Sequence, residues 1–117
     1  MTGKDFHELF LRAVDSAFSS LGDSARQSIY FHLETRFRMP RDEIPDRLED
    51  FENGMEKIFG AGTKFLEILI MKRLYETMEP KRRTMKWEDD KEFKFVDYVK
   101  ATEQSFYKKK KNPRTSS

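Results

Sequence analysis

The sequence predicts an all-α protein, a compact bundle of four to five helices with a basic, disordered C-terminal tail. Apolar residues recur every three or four positions along most of the chain, and glycines and prolines separate these stretches. No alternating strand pattern and no internal repeat of useful length is present. We predict one helical domain over residues 1–107, with its core over 4–78 and a basic linker and helix over 79–107, followed by a lysine-rich tail over 108–117.

The first helix has the clearest periodic pattern. Thr2 is its predicted N-cap with Asp5 reaching back, and Gly22 can adopt the left-handed conformation that ends a helix. Its apolar positions lie on one side of an α-helix: Phe6, Leu9, Phe10, Ala13, Val14, Ala17, Phe18 and Leu21.

The second helix is predicted to open with a capping box formed by Ser24 and Gln27 and to end near Phe37. Met39 precedes Pro40 and is therefore disfavoured in a helix. The apolar residues of this helix are Ile29, Tyr30, Leu33 and Phe37.

A third helix begins near Leu48 and ends at Gly60, after a short connector bracketed by two prolines. Its surroundings are acidic, which favours a solvated face over a calcium site because the spacing differs from an EF-hand loop. Its carboxylates accompany the single base Arg47 and are Asp42, Glu43, Asp46, Glu49, Asp50, Glu52 and Glu56.

The fourth helix runs from Gly62 and Thr63 to about Met78 and has little polar surface. We therefore expect it to be central in the bundle or shared with a second copy of the chain. The residues predicted for a dimer or partner interface are Phe65, Leu69, Met71 and Tyr75.

A last helix is predicted from about Asp90 to Tyr107. Its apolar residues are Phe93, Phe95, Val96, Val99 and Phe106.

Composition excludes several classes of protein. The chain has no cysteine, so it has no disulfide framework, no cysteine-ligated zinc and no thiol nucleophile, as is typical of a reducing cytoplasm. No apolar run has the length of a membrane span, and the N-terminal residues do not have the pattern of a secretory signal. We expect a cytoplasmic protein that does not contact membranes.

The sequence contains no predicted catalytic residue, metal site or cofactor-binding site. His7 and His32 are far apart and have no ligand partner at helical spacing, so both are expected in ordinary surface or core-edge positions. The run Gly60-Ala61-Gly62-Thr63-Lys64 differs in spacing from a nucleotide-binding loop and favours a turn between helices. An enzyme using His32 with Glu34 is the least favoured hypothesis.

The basic C-terminal third carries the main functional hint. Residues 1–78 have a net charge of −3, whereas residues 79–117 have a net charge of +5. Clustered bases near aromatic residues are typical of phosphate contacts and base stacking, although a solubilising tail has the same composition. The predicted nucleic-acid-binding residues are Lys81, Arg82, Arg83, Lys86, Trp87, Lys108, Lys109, Lys110, Lys111 and Arg114.

Several short runs resemble an archaeal family of small helical domains, the Nitrosopumilus output domain. The similarity covers about residues 6–78, and its distinctive runs are Tyr30-Phe31-His32-Leu33-Glu34 and Ile58-Phe59-Gly60-Ala61-Gly62. The resemblance implies an archaeal, cytoplasmic, non-enzymatic domain with a downstream binding role, and it transfers no catalytic residue.

From these observations we expect a homodimeric module that docks on RNA or on a ribonucleoprotein such as the ribosome. A signalling or transcriptional adaptor that acts by protein–protein interaction is the alternative.

Overall fold

The computed structural model describes residues 3–78 and 94–111, and all regular structure in these ranges is helical. The all-α prediction is confirmed, and none of the described helices is long and apolar enough to cross a bilayer. The helices are α1 (Gly3–Ser19), α2 (Asp23–Phe37), α3 (Leu48–Phe59), α4 (Thr63–Met78) and α5 (Phe95–Lys111), with 3-10 turns at Arg41–Asp46 and Gly60–Gly62.

The core is organised around the contact between α1 and α4. Phe10, Val14 and Phe18 of α1 are fully buried, and so are Ile70 and Leu74 of α4, which packs against α1. Because α4 also contacts α3 and α5, its predicted central position is confirmed. The extensive apolar surface of α4 is therefore largely covered within one chain.

One residue of the predicted first stripe does not belong to the core. Leu21 is 45% exposed because α1 ends at Ser19, before the helical period would turn Leu21 inward. The backbone N–H groups of Leu21 and Gly22 bond back to the carbonyls of Phe18 and Ser19, at 3.0 and 2.9 Å. These bonds close the last turn and direct the chain into α2.

The predicted capping box at Ser24 is wrong. Gly22 is the residue that precedes α2, with φ 111° and ψ 151°, and α2 begins at Asp23 without a side-chain cap. The positive φ of Gly22 is accessible to glycine and strained for other residues. Gly22 thus positions the start of α2 and does not adopt the left-handed conformation predicted for the end of α1.

The predicted end of α2 is confirmed. Arg38 follows Phe37 in the left-handed conformation, with φ 52°, and the N–H of Met39 donates to the carbonyl of Leu33 at 3.0 Å. The chain then enters the 3-10 turn, in which Ile44 is fully buried. The segment between the two prolines therefore contributes to the core as well as connecting two helices.

A carboxylate on α1 ties this turn to the bundle. Arg41 donates Nε–H to Asp15 Oδ1 at 3.0 Å and Nη2–H to Oδ2 at 2.6 Å, and the hydroxyl of Tyr30 donates to Oδ1 at 2.5 Å. Burial alone would raise the pKa of Asp15, but the hydrogen bonds from Arg41 and Tyr30 outweigh it and lower that pKa. Asp15 thereby joins α1, α2 and the 3-10 turn.

The last helix differs from its predicted bounds. It begins at Phe95 and continues through Lys111, four residues past the predicted end at Tyr107. Residues 79–93, which include the predicted linker and the predicted start of the last helix, lie outside the described residues, as does the end of the predicted tail, 112–117.

Candidate functional site

The helix α5 is attached to the core by a buried face. Phe95 is fully buried, with its ring centroid 6.2 Å from that of Phe10 and 6.1 Å from that of Phe51. One and two turns later, Val99 and Thr102 are 2% exposed, and the Thr102 hydroxyl donates to the carbonyl of Tyr98 at 2.7 Å. The polar group on this face, the Thr102 hydroxyl, thus has its hydrogen-bond partner within α5. The same face covers the rings of Phe10 in α1 and Phe51 in α3.

The other end of α5 lies beside the beginning of α1. The ring of Phe106 packs against Phe6 with centroids 5.7 Å apart. The backbone N–H of Phe6 donates to the hydroxyl of Tyr107 at 3.4 Å. Since the first N–H groups of a helix need acceptors outside it, α5 helps to complete the first turn of α1.

The four lysines predicted to bind nucleic acid follow this contact directly. The backbone of Lys108, Lys109, Lys110 and Lys111 forms the last turn of α5, one residue beyond Tyr107. Positive charge is favoured at a helix C-terminus, where the carbonyl dipoles are unpaired.

The other predicted nucleic-acid-binding residues are not described by the structure. These are Lys81, Arg82, Arg83, Lys86, Trp87 and Arg114.

A histidine lies between two carboxylates at the contact of α1 with α5. His7 Nε2 is 3.8 Å from Asp46 Oδ1 in the 3-10 turn and 3.9 Å from Glu103 Oε2 in α5. A protonated imidazole at this position attracts both carboxylates. Sequence spacing does not reveal this arrangement, because the three residues come from distant parts of the chain.

The predicted interface residues of α4 have different environments. Phe65 is 69% exposed, and Leu69 and Tyr75 are half-buried. Met71 is fully buried in the core of a single chain, so its assignment to an interface is wrong. The reason is its register: Met71 follows Ile70 on the side of α4 that faces the bundle interior. A further exposed aromatic residue, Phe31 of α2, was not predicted and is 63% exposed.

The acidic third helix has the predicted solvated face with one exception. Asp42, Glu43, Asp46, Glu49, Asp50 and Glu56 are exposed. Arg47 holds two of them, with Nη1 3.0 Å from Glu43 Oε1 and Nε 3.1 Å from Asp50 Oδ2. Glu52 is half-buried and faces α4.

Glu52 acts on a buried carboxyl, that of Glu67 in α4, which is 3% exposed. Burial, the hydrogen bond to Glu52 and the negative charges of Glu52 and Glu56 raise the pKa of Glu67 to about 9, and Lys64 offsets part of this. In the sequence, Glu67 interrupts the apolar run from Phe65 to Met71. It is the one carboxyl among the seven residues of this run, although α4 also contains Glu76.

The glycine-rich run forms the predicted turn between helices. Gly60–Gly62 is a single 3-10 turn, and the N–H of Thr63 already donates to the carbonyl of Gly60. Among the described residues, no three carboxylate or histidine side chains are placed to hold a metal ion. An open groove of about 280 Å³ lies where the start of α3 meets α5, lined in part by Leu48, Val96 and Lys100.

Comparison with protein-family models, curated proteins and solved structures finds no match to this chain. The resemblance to the Nitrosopumilus output domain therefore stays a prediction.

Proposed function

We propose that this protein is a non-enzymatic helical module that docks on structured RNA or on a ribonucleoprotein such as the ribosome through its basic C-terminal third. The observation that carries the proposal is the attachment of α5. Phe95 anchors one end of the helix and Tyr107 the other, and the lysine run begins at the next residue. The backbone that carries the lysine run is thus attached to the bundle.

The chemistry of this end favours phosphate over a base edge. Lysine is a flexible point charge that binds phosphate oxygens without selecting a base, and neutralised phosphates release counterions. Four consecutive lysines offer several cations to the phosphates that a folded RNA presents. The proposal therefore predicts tight, salt-sensitive binding with little sequence preference.

The test is binding of the full chain to a folded RNA at a series of salt concentrations. Replacing Lys108, Lys109, Lys110 and Lys111 with Gln should weaken binding and reduce the salt slope by roughly one for each lysine that contacts a phosphate. A control with the same loss of charge replaces Arg12, Arg36, Lys57 and Lys72, which are exposed on α1, α2, α3 and α4. Equal affinity of the α5 variant and the unmodified protein would contradict the proposal.

A second candidate, a protein–protein adaptor that forms a homodimer, is favoured by the exposed face of α4. Phe65 is 69% exposed and shares this face with the half-buried Leu69 one turn later. Sedimentation should show a dimer that Phe65→Ser dissociates, whereas Phe31→Ser on α2 should leave it intact. A monomer in all three samples would eliminate the dimer.

Migration of the protein from cell extract on a sucrose gradient separates the two candidates. Migration with large particles that is lost after ribonuclease treatment would support RNA docking. A complex that survives ribonuclease would support the adaptor.

A further inference from the structure

The contact between α3 and α4 contains a carboxyl group that is almost completely removed from solvent. Glu67 is 3% exposed, and its Oε2 atom has no hydrogen-bond partner among the described residues. Transfer of an ionised carboxylate from water to such a position is strongly unfavourable unless a cation compensates it. The charge state of Glu67 is therefore coupled to the packing of the two helices.

The charged neighbours do not supply that compensation. From α3, Glu52 and Glu56 add negative charge, and the cation that acts on Glu67 is Lys64, which is exposed on α4 itself. Thr63, one turn earlier on the same face, is 4% exposed and its hydroxyl has no partner in the described part of the chain. The site thus contains two buried polar side chains with an oxygen that has no hydrogen-bond partner among the described residues.

A hydrogen bond between the carboxyl groups of Glu67 and Glu52 would require a proton. An ionised carboxylate offers only acceptor oxygens, so two carboxyl groups form a hydrogen bond with each other only when one of them is protonated. The arrangement of the side chains at this contact consequently depends on one bound proton. Its loss would leave two negative charges facing each other across the contact.

The connection between the two helices permits them to separate. Only the turn Gly60–Gly62 joins α3 to α4, and Gly60 has φ 57° and ψ −126°, a conformation available to glycine but strained for other residues. Ala61 and both glycines of the turn are exposed, so their packing does not restrict its motion. A change in the repulsion between α3 and α4 can therefore be accommodated by a change in the backbone conformation of this turn.

We propose that Glu67 and Glu52 hold one proton between α3 and α4, and that release of this proton as the pH rises loosens the contact, making the helix pair an alkaline-sensitive switch. The folded chain keeps a proton that the unfolded chain loses near pH 4.5, the ordinary value for Glu. The stability that this bound proton contributes is fully present below pH 4.5 and is lost as the pH rises towards about 9. In this interval the unfolding equilibrium constant should increase roughly tenfold for each pH unit.

The test is urea unfolding of the full chain between pH 6 and pH 9. Glu67→Gln keeps the shape of the neutral carboxyl and should remove the tenfold dependence, so that the variant becomes progressively more stable than the unmodified protein as the pH rises. Glu49→Gln, at an exposed position of α3, should retain the full dependence. Parallel profiles for the unmodified protein and Glu67→Gln would overturn the proposal.

A second measurement does not depend on any variant. Carbon-detected NMR of the glutamate carboxyl groups in the unmodified protein should show one group that titrates several pH units above the others. Amide exchange in α3 and in the first turns of α4 should accelerate over the same pH range by more than the intrinsic base-catalysed rate. Titration of every glutamate near its ordinary value would overturn the proposal.

Discussion

Removal of the Phe95 ring tests whether α5 is an integral part of the core. The side chain is fully buried against Phe10 and Phe51. A buried aromatic ring removes about 150 Å² or more from water, worth about 4 kcal/mol at 25 cal/mol per Å². The two ring contacts increase this free energy, and the Cβ that alanine retains decreases it. Phe95→Ala should therefore lower the free energy of unfolding by about 3–5 kcal/mol.

The loss should appear both in global stability and in the protection of α5. Urea unfolding should show a lower midpoint, and amide exchange over residues 98–107 should accelerate by about a thousandfold, the equivalent of about 4 kcal/mol. Gln104→Ala, at an exposed position of the same helix, should change the free energy of unfolding by less than about 0.5 kcal/mol. If Phe95→Ala changes stability no more than Gln104→Ala does, the attachment of α5 to the core would be refuted.

Two further substitutions test the packing of α2 and α1. Gly54→Ala should destabilise the protein by about 1 kcal/mol, although alanine has the better helix propensity, because the new Cβ would lie 3.0 Å from Leu33 Cδ2 in the closed core. Urea unfolding measures this loss, and a variant more stable than the unmodified protein would contradict the prediction. Arg41→Met should lower the free energy of unfolding by about 1 kcal/mol at pH 7; the effect is this small because the ion pair between Arg41 and Asp15 is partly exposed. This cost should disappear as the pH falls below 3.8 and Asp15 is protonated, and a cost that persists at lower pH would exclude the ion pair as its source.

The sequence predicts most of the helices because they depend on local signals. The apolar period of α1 and the glycine and proline positions around α3 and α4 place these helices within a few residues of their observed bounds. Leu21 is an exception, because the period continues through it while the helix stops at Ser19. The burial of Ile44 has no periodic signal, since it lies in a single turn between two prolines.

The sites depend on contacts between distant segments and are only partly visible in the sequence. The lysine run is evident from composition, and its attachment to the start of α1 through Tyr107 is not. Glu67 is evident as one carboxyl in an apolar helix, but its partner Glu52 lies on a different helix. The burial of Met71 depends on the register of α4 against the bundle, which periodicity alone left open because six of the seven residues from Phe65 to Met71 are apolar.

The contact between Phe6 and Tyr107 joins residues that are 101 positions apart, and this separation governs how the chain can be completed during synthesis. Translation proceeds at about 5–20 residues per second, so the aromatic residues of α1 emerge from the ribosome several seconds before α5. During that interval Phe6 and Phe10 lack the rings that cover them in the finished fold. A chain whose translation stops before α5 therefore exposes an aromatic surface by which chaperones and proteases can distinguish it from the complete protein.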